Sequence, residues 1–169
     1  MTFAVVRFSH DLPIDQQVLD DTVAELKHTS YQRTVSLKEA PAKTDCVTAV
    51  HYLLQKAFQI KLPRGWVGDM PRLLSQSQWG LYIVDASELK TGDLLFLKQK
   101  QQPKLISHIA IVLAPDQIFH CTGLLGPLVQ SVDQVFERYE QQLKKDLIRY
   151  IDCRNTSLRE QHGGMYIKA

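Results

Sequence analysis

Cys46, Ala49, Val50, Leu53, Leu54, Ala57 and Phe58 recur at the i, i+3, i+4, i+7 spacing that stacks apolar side chains on one face of a helix. A stripe this wide must be covered by another element. Asp45, just before it, is a residue type that caps helices by accepting the backbone N–H groups the first turn leaves unpaired. The predicted helix therefore runs from Cys46 to about Phe58, with a cysteine at the N-terminal end of its buried face.

The cover is legible downstream. Leu81 to Val84, Asp93 to Leu97, Ile106 to Leu113 and Gln117 to Cys121 are short apolar runs separated by turn signals, and they read as strands. Upstream, Phe3 to Phe8 reads as a strand and Pro13 to His28 as a helix, with Ile14, Val18, Leu19, Val23 and Leu26 inward. Pro71 opens a short helix carrying Leu73 and Leu74. Ser131 with Gln134 three residues on predicts a capping box, for a helix whose stripe is Val132, Val135, Phe136, Tyr139 and Leu143. Leu147 to Cys153 reads as a last strand. Helices first, then strands joined by short hairpins, define an α+β fold with N-terminal helices packed on an antiparallel β-sheet. With 169 residues, 44% of them hydrophobic, the chain can bury one core. A single domain is expected over residues 1–153, with a strand and helix in 1–40 and the core in 41–153, followed by a flexible tail over 154–169.

Charge and export signals narrow the partners. Twenty basic against 18 acidic residues leave a formal charge of +2, too balanced for nucleic-acid or membrane binding through charge alone. The basic stretch Lys98 to Lys104 reads as a solvated hairpin tip, with attraction of an anionic substrate as the alternative. Met1 to His10 lack the order of a signal peptide, and no apolar run reaches the length of a membrane span. A cytoplasmic location is expected, or delivery by a secretion system. Cys46, Cys121 and Cys153 are odd in number and lack zinc-site spacing, so neither a disulfide framework nor a metal site is expected.

The chemistry-bearing residues are Cys46, His108 and His120. A thiol at a helix N-terminus feels a field that favours the thiolate, and a neighbouring imidazole can take its proton. If Ala114, Pro115 and Asp116 form a three-residue loop, Leu113 pairs with Gln117 and Ala110 lies opposite His120. His108 is then the diagonal neighbour of His120 on the same face. A two-residue loop turns His120 to the other face. In this reading Cys46 is the nucleophile, His108 the general base and acid, and His120 the group that orients the His108 ring. Taken singly, each has a plainer reading, since free cysteine is among the most buried residue types and strand histidines are mostly structural. His51 is read as a partly exposed structural residue, and Cys121 as core.

Three segments together resemble the NlpC-type family of papain-like cysteine peptidases, which act on bacterial cell-wall peptides. Asp45-Cys46 resembles the family's Asp-Cys-Ser-Gly motif, and Thr91-Gly92-Asp93-Leu94-Leu95-Phe96 its Pro-Gly-Asp-Leu-hydrophobic-Phe strand. His108-Ile109-Ala110-Ile111-Val112 and Ile118-Phe119-His120 resemble its two histidine strands. The resemblance covers about residues 40 to 153 and implies a papain-like fold with the nucleophile at a helix N-terminus. It implies the same roles for Cys46, His108 and His120, no metal or organic cofactor, and cleavage of the γ-D-glutamyl–diamino acid bond of peptidoglycan stem peptides. Asp45, and Tyr31 as the counterpart of a family tyrosine, are the implied substrate-binding residues. Val47-Thr48 stand where the family has Ser-Gly. Recycling of imported wall peptides, or delivery as an effector, fits better than wall remodelling from outside. The alternatives are an amidase cutting between muramic acid and L-alanine, an acyltransferase on the same site, and a binding module that has lost turnover.

Overall fold

The computed structural model describes residues 3–8, 14–62, 67–70, 81–101 and 106–141, together with 145 and 147. Among them lie three α-helices and nine strands. The expected helix from Pro71, the last strand from Leu147 to Cys153, the Pro13 helix start and the tail all lie outside the described residues or reach beyond them.

The helix predicted from the apolar stripe is α2, Cys46–Phe58. It starts where Asp45 Oδ1 accepts the Thr48 N–H at 2.7 Å and ends at Gln59, which takes the left-handed conformation at φ 57°. Its burial extends well beyond the stripe, to Val47, Thr48, His51 and Tyr52, as happens when a helix is packed from several sides. One side meets α1, Gln16–Leu26, where the Tyr52 hydroxyl donates to Glu25. A short 3₁₀ turn at Leu37–Glu39 and the sheet press on the others. α1 is shorter than expected because Asp15 caps it, accepting from the Gln17 and Val18 N–H groups, which leaves Ile14 outside the helix and 40% exposed.

The main sheet runs in the order β4 (Leu81–Ala86), β1 (Phe3–Phe8), β5 (Leu94–Gln99), β6 (Ile106–Ala114), β7 (Gln117–Thr122) and β8 (Gly126–Gln130). Every pairing in it is antiparallel. β9, Tyr139–Glu140, pairs with the end of β5, and β2 (Ser30–Tyr31) lies parallel to β3 (Lys43–Thr44) in a separate small sheet. Both faces of the central strands are covered. Ile109, Ile111, Phe119 and Cys121 pack into the core with α2, while Ala110, Val112 and Ile118 join Leu95, Leu97, Val135 and Tyr139 in a second core. Two-sided burial explains why β5 and β6 read as nearly continuous apolar runs. The second core is closed by α3, Val132–Arg138, started by the Ser131–Gln134 capping box. This helix is shorter than expected because Tyr139 leaves it in an extended conformation to pair with Gln99.

The turn between β6 and β7 corrects one expectation and keeps its consequence. Pro115 and Asp116 alone form the loop, since Ala114 pairs with Gln117. A two-residue loop without further change would turn His120 away from His108. The register, however, shifts between Val112 and Ala114, so Leu113 is an extra residue in a bulge, and beyond it Val112 pairs with Ile118 and Ile111 with Phe119. Continued by one residue, that register sets Ala110 opposite His120.

The Thr91-Gly92-Asp93 motif holds this bulge. Thr91 Oγ1 donates to the Leu113 carbonyl at 2.9 Å, Gly92 N–H to Val112 O at 2.8 Å, and Val112 N–H to Asp93 O at 2.9 Å. Gly92 sits at φ 94°, a conformation that disfavours any residue with a Cβ. Asp93 is buried and paired bidentately with Arg7 of β1, Nε to Oδ1 at 2.9 Å and NH2 to Oδ2 at 2.7 Å, while Lys90 N–H also donates to Oδ2. Thr91→Val keeps the branched shape and removes the donor. It is expected to cost about 1 kcal/mol in urea unfolding; unchanged stability would show that the bulge holds without it.

His51 departs from its sequence reading, because it is 1% exposed. Its Nε2 accepts the Leu62 N–H at 3.1 Å, fastening the chain that leaves α2, and its Nδ1 has no partner. Burial first, and the Lys61 charge second, lower its pKa to about 4. The unfolded chain therefore takes up a proton near pH 6.5 that the folded protein refuses. The stability contributed by neutral His51 is complete above that pH and lost as pH falls toward 4, by roughly 3 kcal/mol. Denaturant unfolding at pH 7 and pH 4.5 should show a smaller acid loss for His51→Gln than for the wild type; equal losses would contradict this assignment.

Candidate active site

Three chain segments converge where α2 begins. The parallel pairing of Tyr31 with Thr44 brings the β2 tyrosine beside the Asp45-Cys46 helix start. The backbone N–H of Ile109, the residue after His108, is placed to favour the ionised form of the Cys46 thiol, and α2 packs against β6 here. A register shift opposite Leu97 and Lys98 makes Ser107 an extra residue directly before His108, and bulges of this kind bend a strand and re-aim its side chains.

His108 Nε2 and His120 Nδ1 are 2.8 Å apart, and His120 Nε2 is 2.8 Å from Gln130 Oε1. This leaves Nδ1 of His108 as the ring nitrogen available to a thiol proton. Tyr139 stacks flat on the His108 ring, with centroids 4.8 Å apart and planes 6° from parallel, and meets His120 edge-on at 6.1 Å. It shields the two rings from water on that side.

The electrostatics are those of a dry site. Cys46 is 0% exposed; burial, and then the Asp45 charge, push its thiol well above the usual range, against smaller lowering by the Ile109 and Val47 N–H groups. Desolvation thus opposes the field of the helix N-terminus at this thiol. Burial, and then its neighbour His120, hold His108 well below the usual histidine value, and burial likewise lowers His120. Desolvation therefore favours the neutral form of both the thiol and the imidazole. A Cys46 charge would in turn be felt by Tyr31, whose hydroxyl burial pushes up, and by Tyr139, pushed up to about 12.

Beside this centre lies a cavity of about 910 Å³, lined by Tyr31, His108, Thr122, Gly123 and Tyr139, with Arg33, Lys100, Arg138 and Glu137 supplying charge. Cys46 is fully buried and is not part of that lining. A Cβ at Gly123 would meet the Tyr31 ring at 3.4 Å, so the absence of a side chain there lets the tyrosine pack closely. Gln99, Lys100 and Gln101 also line the cavity, so the start of the basic stretch faces the site instead of forming only a solvated tip. Asp45 is fully buried, with Oδ1 on Thr48 N–H and Oδ2 facing Val35 N–H at 3.4 Å, and does not line the cavity. Burial raises its pKa despite these bonds. Cys121 lies under the site, 3.7 Å from Thr44 Oγ1. No group of three or more His, Cys, Asp or Glu among the described residues is placed to hold a metal ion. No described helix is long and apolar enough to cross a membrane.

Gln130, Arg138 and Tyr139 were not singled out from the sequence as site residues. Gln130 lies on β8, whose Gly-Pro start masked the strand, and Tyr139 was absorbed into a helical stripe. The capping box at Ser131 was the one local signal for this region.

A mixed α and β domain with an antiparallel sheet packed on a helix that begins at a buried cysteine, and a histidine pair on the adjoining strands, has the papain-like architecture. The NlpC/P60 family matches residues 29–153, more than half of the chain, and the chain belongs to that family. It is thereby placed among cell-wall peptidases of the papain-like class. No curated protein matches the chain.

The neutral pair makes a pH prediction. His108 must be unprotonated to act as a base, and its depressed pKa keeps it so below pH 6.5. The acid limb of kcat/KM is expected below pH 6.5, and a limb at or above that pH would contradict the buried-base assignment.

Proposed function

We propose that this protein hydrolyses an amide bond in peptidoglycan stem peptides, the bond between γ-D-glutamate and a diamino acid, through Cys46, His108 and His120. The observation that carries the reading is the His108–His120 hydrogen bond, which leaves His108 Nδ1 for the thiol while the next residue's N–H is placed to favour the ionised thiol. The Cys46 proton passes to His108 Nδ1 as the sulfur attacks the carbonyl carbon, so no free thiolate accumulates beforehand. Backbone N–H groups at the start of α2 face the developing oxyanion. As the tetrahedral intermediate collapses, the C–N bond breaks and His108 returns the proton to the departing amine. The thioester left on Cys46 is then hydrolysed by water, with His108 again the base.

The cavity supports a carboxylate-rich substrate. Its volume suits a short peptide, and three cationic residues against Glu137 favour the free carboxylates of a stem peptide. Access to the sulfur requires the surrounding side chains to move, because Cys46 is sealed at rest. Recognition of a free N-terminal amine by Asp45 has less support, since that carboxylate already caps α2.

Incubation with defined muropeptides, read by product mass, tests the reading. The wild type should release the peptide portion beginning at the diamino acid, Cys46→Ala should release nothing, and His108→Ala should lose at least about 10²-fold in rate. His120→Ala should lose about 10–100-fold and remain folded. Release of the whole stem peptide from muramic acid would favour the amidase alternative, and wild-type rates in Cys46→Ala would refute the mechanism.

A further inference from the structure

His108, His120 and Gln130 form one diagonal across three adjacent strands. The pairing of Gln130 with Ile118 puts it two positions off His120 on the same face, just as His108 is two positions off Ala110. Both steps end in 2.8 Å contacts. We propose, on the reading of the site given above, that Gln130 is a positioning residue whose side-chain oxygen selects the His120 tautomer and so leaves His108 Nδ1 as the proton acceptor.

The argument is one of donors and acceptors. An amide oxygen only accepts, so His120 Nε2 must carry a hydrogen. Neutral His120 then has its lone pair on Nδ1, and the His108 Nε2 it contacts must be the donor. Neutral His108 in turn has its lone pair on Nδ1, the nitrogen that takes the thiol proton. When that proton arrives, His108 Nε2–H still donates to His120 Nδ1. No second proton moves, and His120 stays neutral throughout.

A neutral partner matters as much as an accepting one. A carboxylate at position 130 would favour a charged His120 with both nitrogens as donors. His108 Nε2 would then have to accept, its hydrogen would shift to Nδ1, and the base would be blocked. The groups facing His120 are His108 from β6, Gln130 from β8, Tyr139 from β9 and the Arg138 charge from the end of α3. Burial first disfavours a cation there, the Gln130 acceptor works against this, and the Arg138 charge adds to it. Gln130 does not line the cavity beside His108, so its effect should fall on kcat and leave KM unchanged.

Two readouts test this. In long-range ¹H–¹⁵N spectra of the wild type, His120 should carry its proton on Nε2, and Gln130→Leu should abolish that preference. In muropeptide hydrolysis, Gln130→Leu should lower kcat about 10–100-fold at every pH with KM unchanged. Gln130→Glu should move the acid limb of the pH profile upward and recover activity above it, which a purely packing role would not produce. A wild-type His120 protonated on Nδ1, or Gln130→Leu with unaltered kcat and pH profile, would overturn the proposal. If the wild type cleaves no muropeptide, the functional reading fails, and the spectra still decide the role of Gln130. If Gln130→Leu does not fold, the wild-type spectrum and Gln130→Glu decide it.

Discussion

The Leu113 carbonyl accepts the Thr91 hydroxyl at 2.9 Å, and this contact sits on the single extra residue that makes the β6–β7 register what it is. Side chains alternate along a strand, so a shift of one residue would send every β7 side chain to the opposite face. The bulge lets a two-residue turn deliver His120 to the face that carries His108. The bidentate Arg7–Asp93 pair anchors the same motif to β1. Asp93 is buried while Arg7 is partly exposed, so loss of Arg7 would strand a buried carboxylate.

The second constraint is burial. Cys46, His108 and His120 are each shielded from water, and desolvation favours the neutral form of all three. In such a site an isolated charge on either the thiol or the imidazole is costly, so the orientation of the imidazole matters to any proton transfer between them. The chain from Gln130 through His120 to His108, with Tyr139 stacked on the His108 ring, supplies that orientation from paired strands.

Much of this was legible in the sequence. The α2 stripe, the Asp45 cap, the capping box at Ser131 and the alternation around His108 are local patterns, and local patterns survive folding. The diagonal pairing of His108 with His120 was anticipated, although by a three-residue loop where the chain uses two residues and a bulge. That distinction depends on Thr91, which is remote in sequence. His51 was misjudged because it lies off the apolar stripe, and its partner, the Leu62 N–H, comes from the chain that leaves α2 and returns beside it. The site residues Gln130, Arg138 and Tyr139 were missed for a related reason. Tyr139 fits a helical period, yet pairing with Gln99 draws it into a strand, and Gln130 acquires meaning only from the registers of two neighbouring strand pairs.

The central claim is a directed hydrogen bond between two imidazoles. A ¹⁵N–¹⁵N coupling across the hydrogen bond, measured on the ¹⁵N-labelled protein at neutral pH, reports both the contact and its donor. The account predicts a coupling between His108 Nε2 and His120 Nδ1 with the hydrogen on His108. No coupling, or a coupling with the hydrogen on His120 Nδ1, would contradict it.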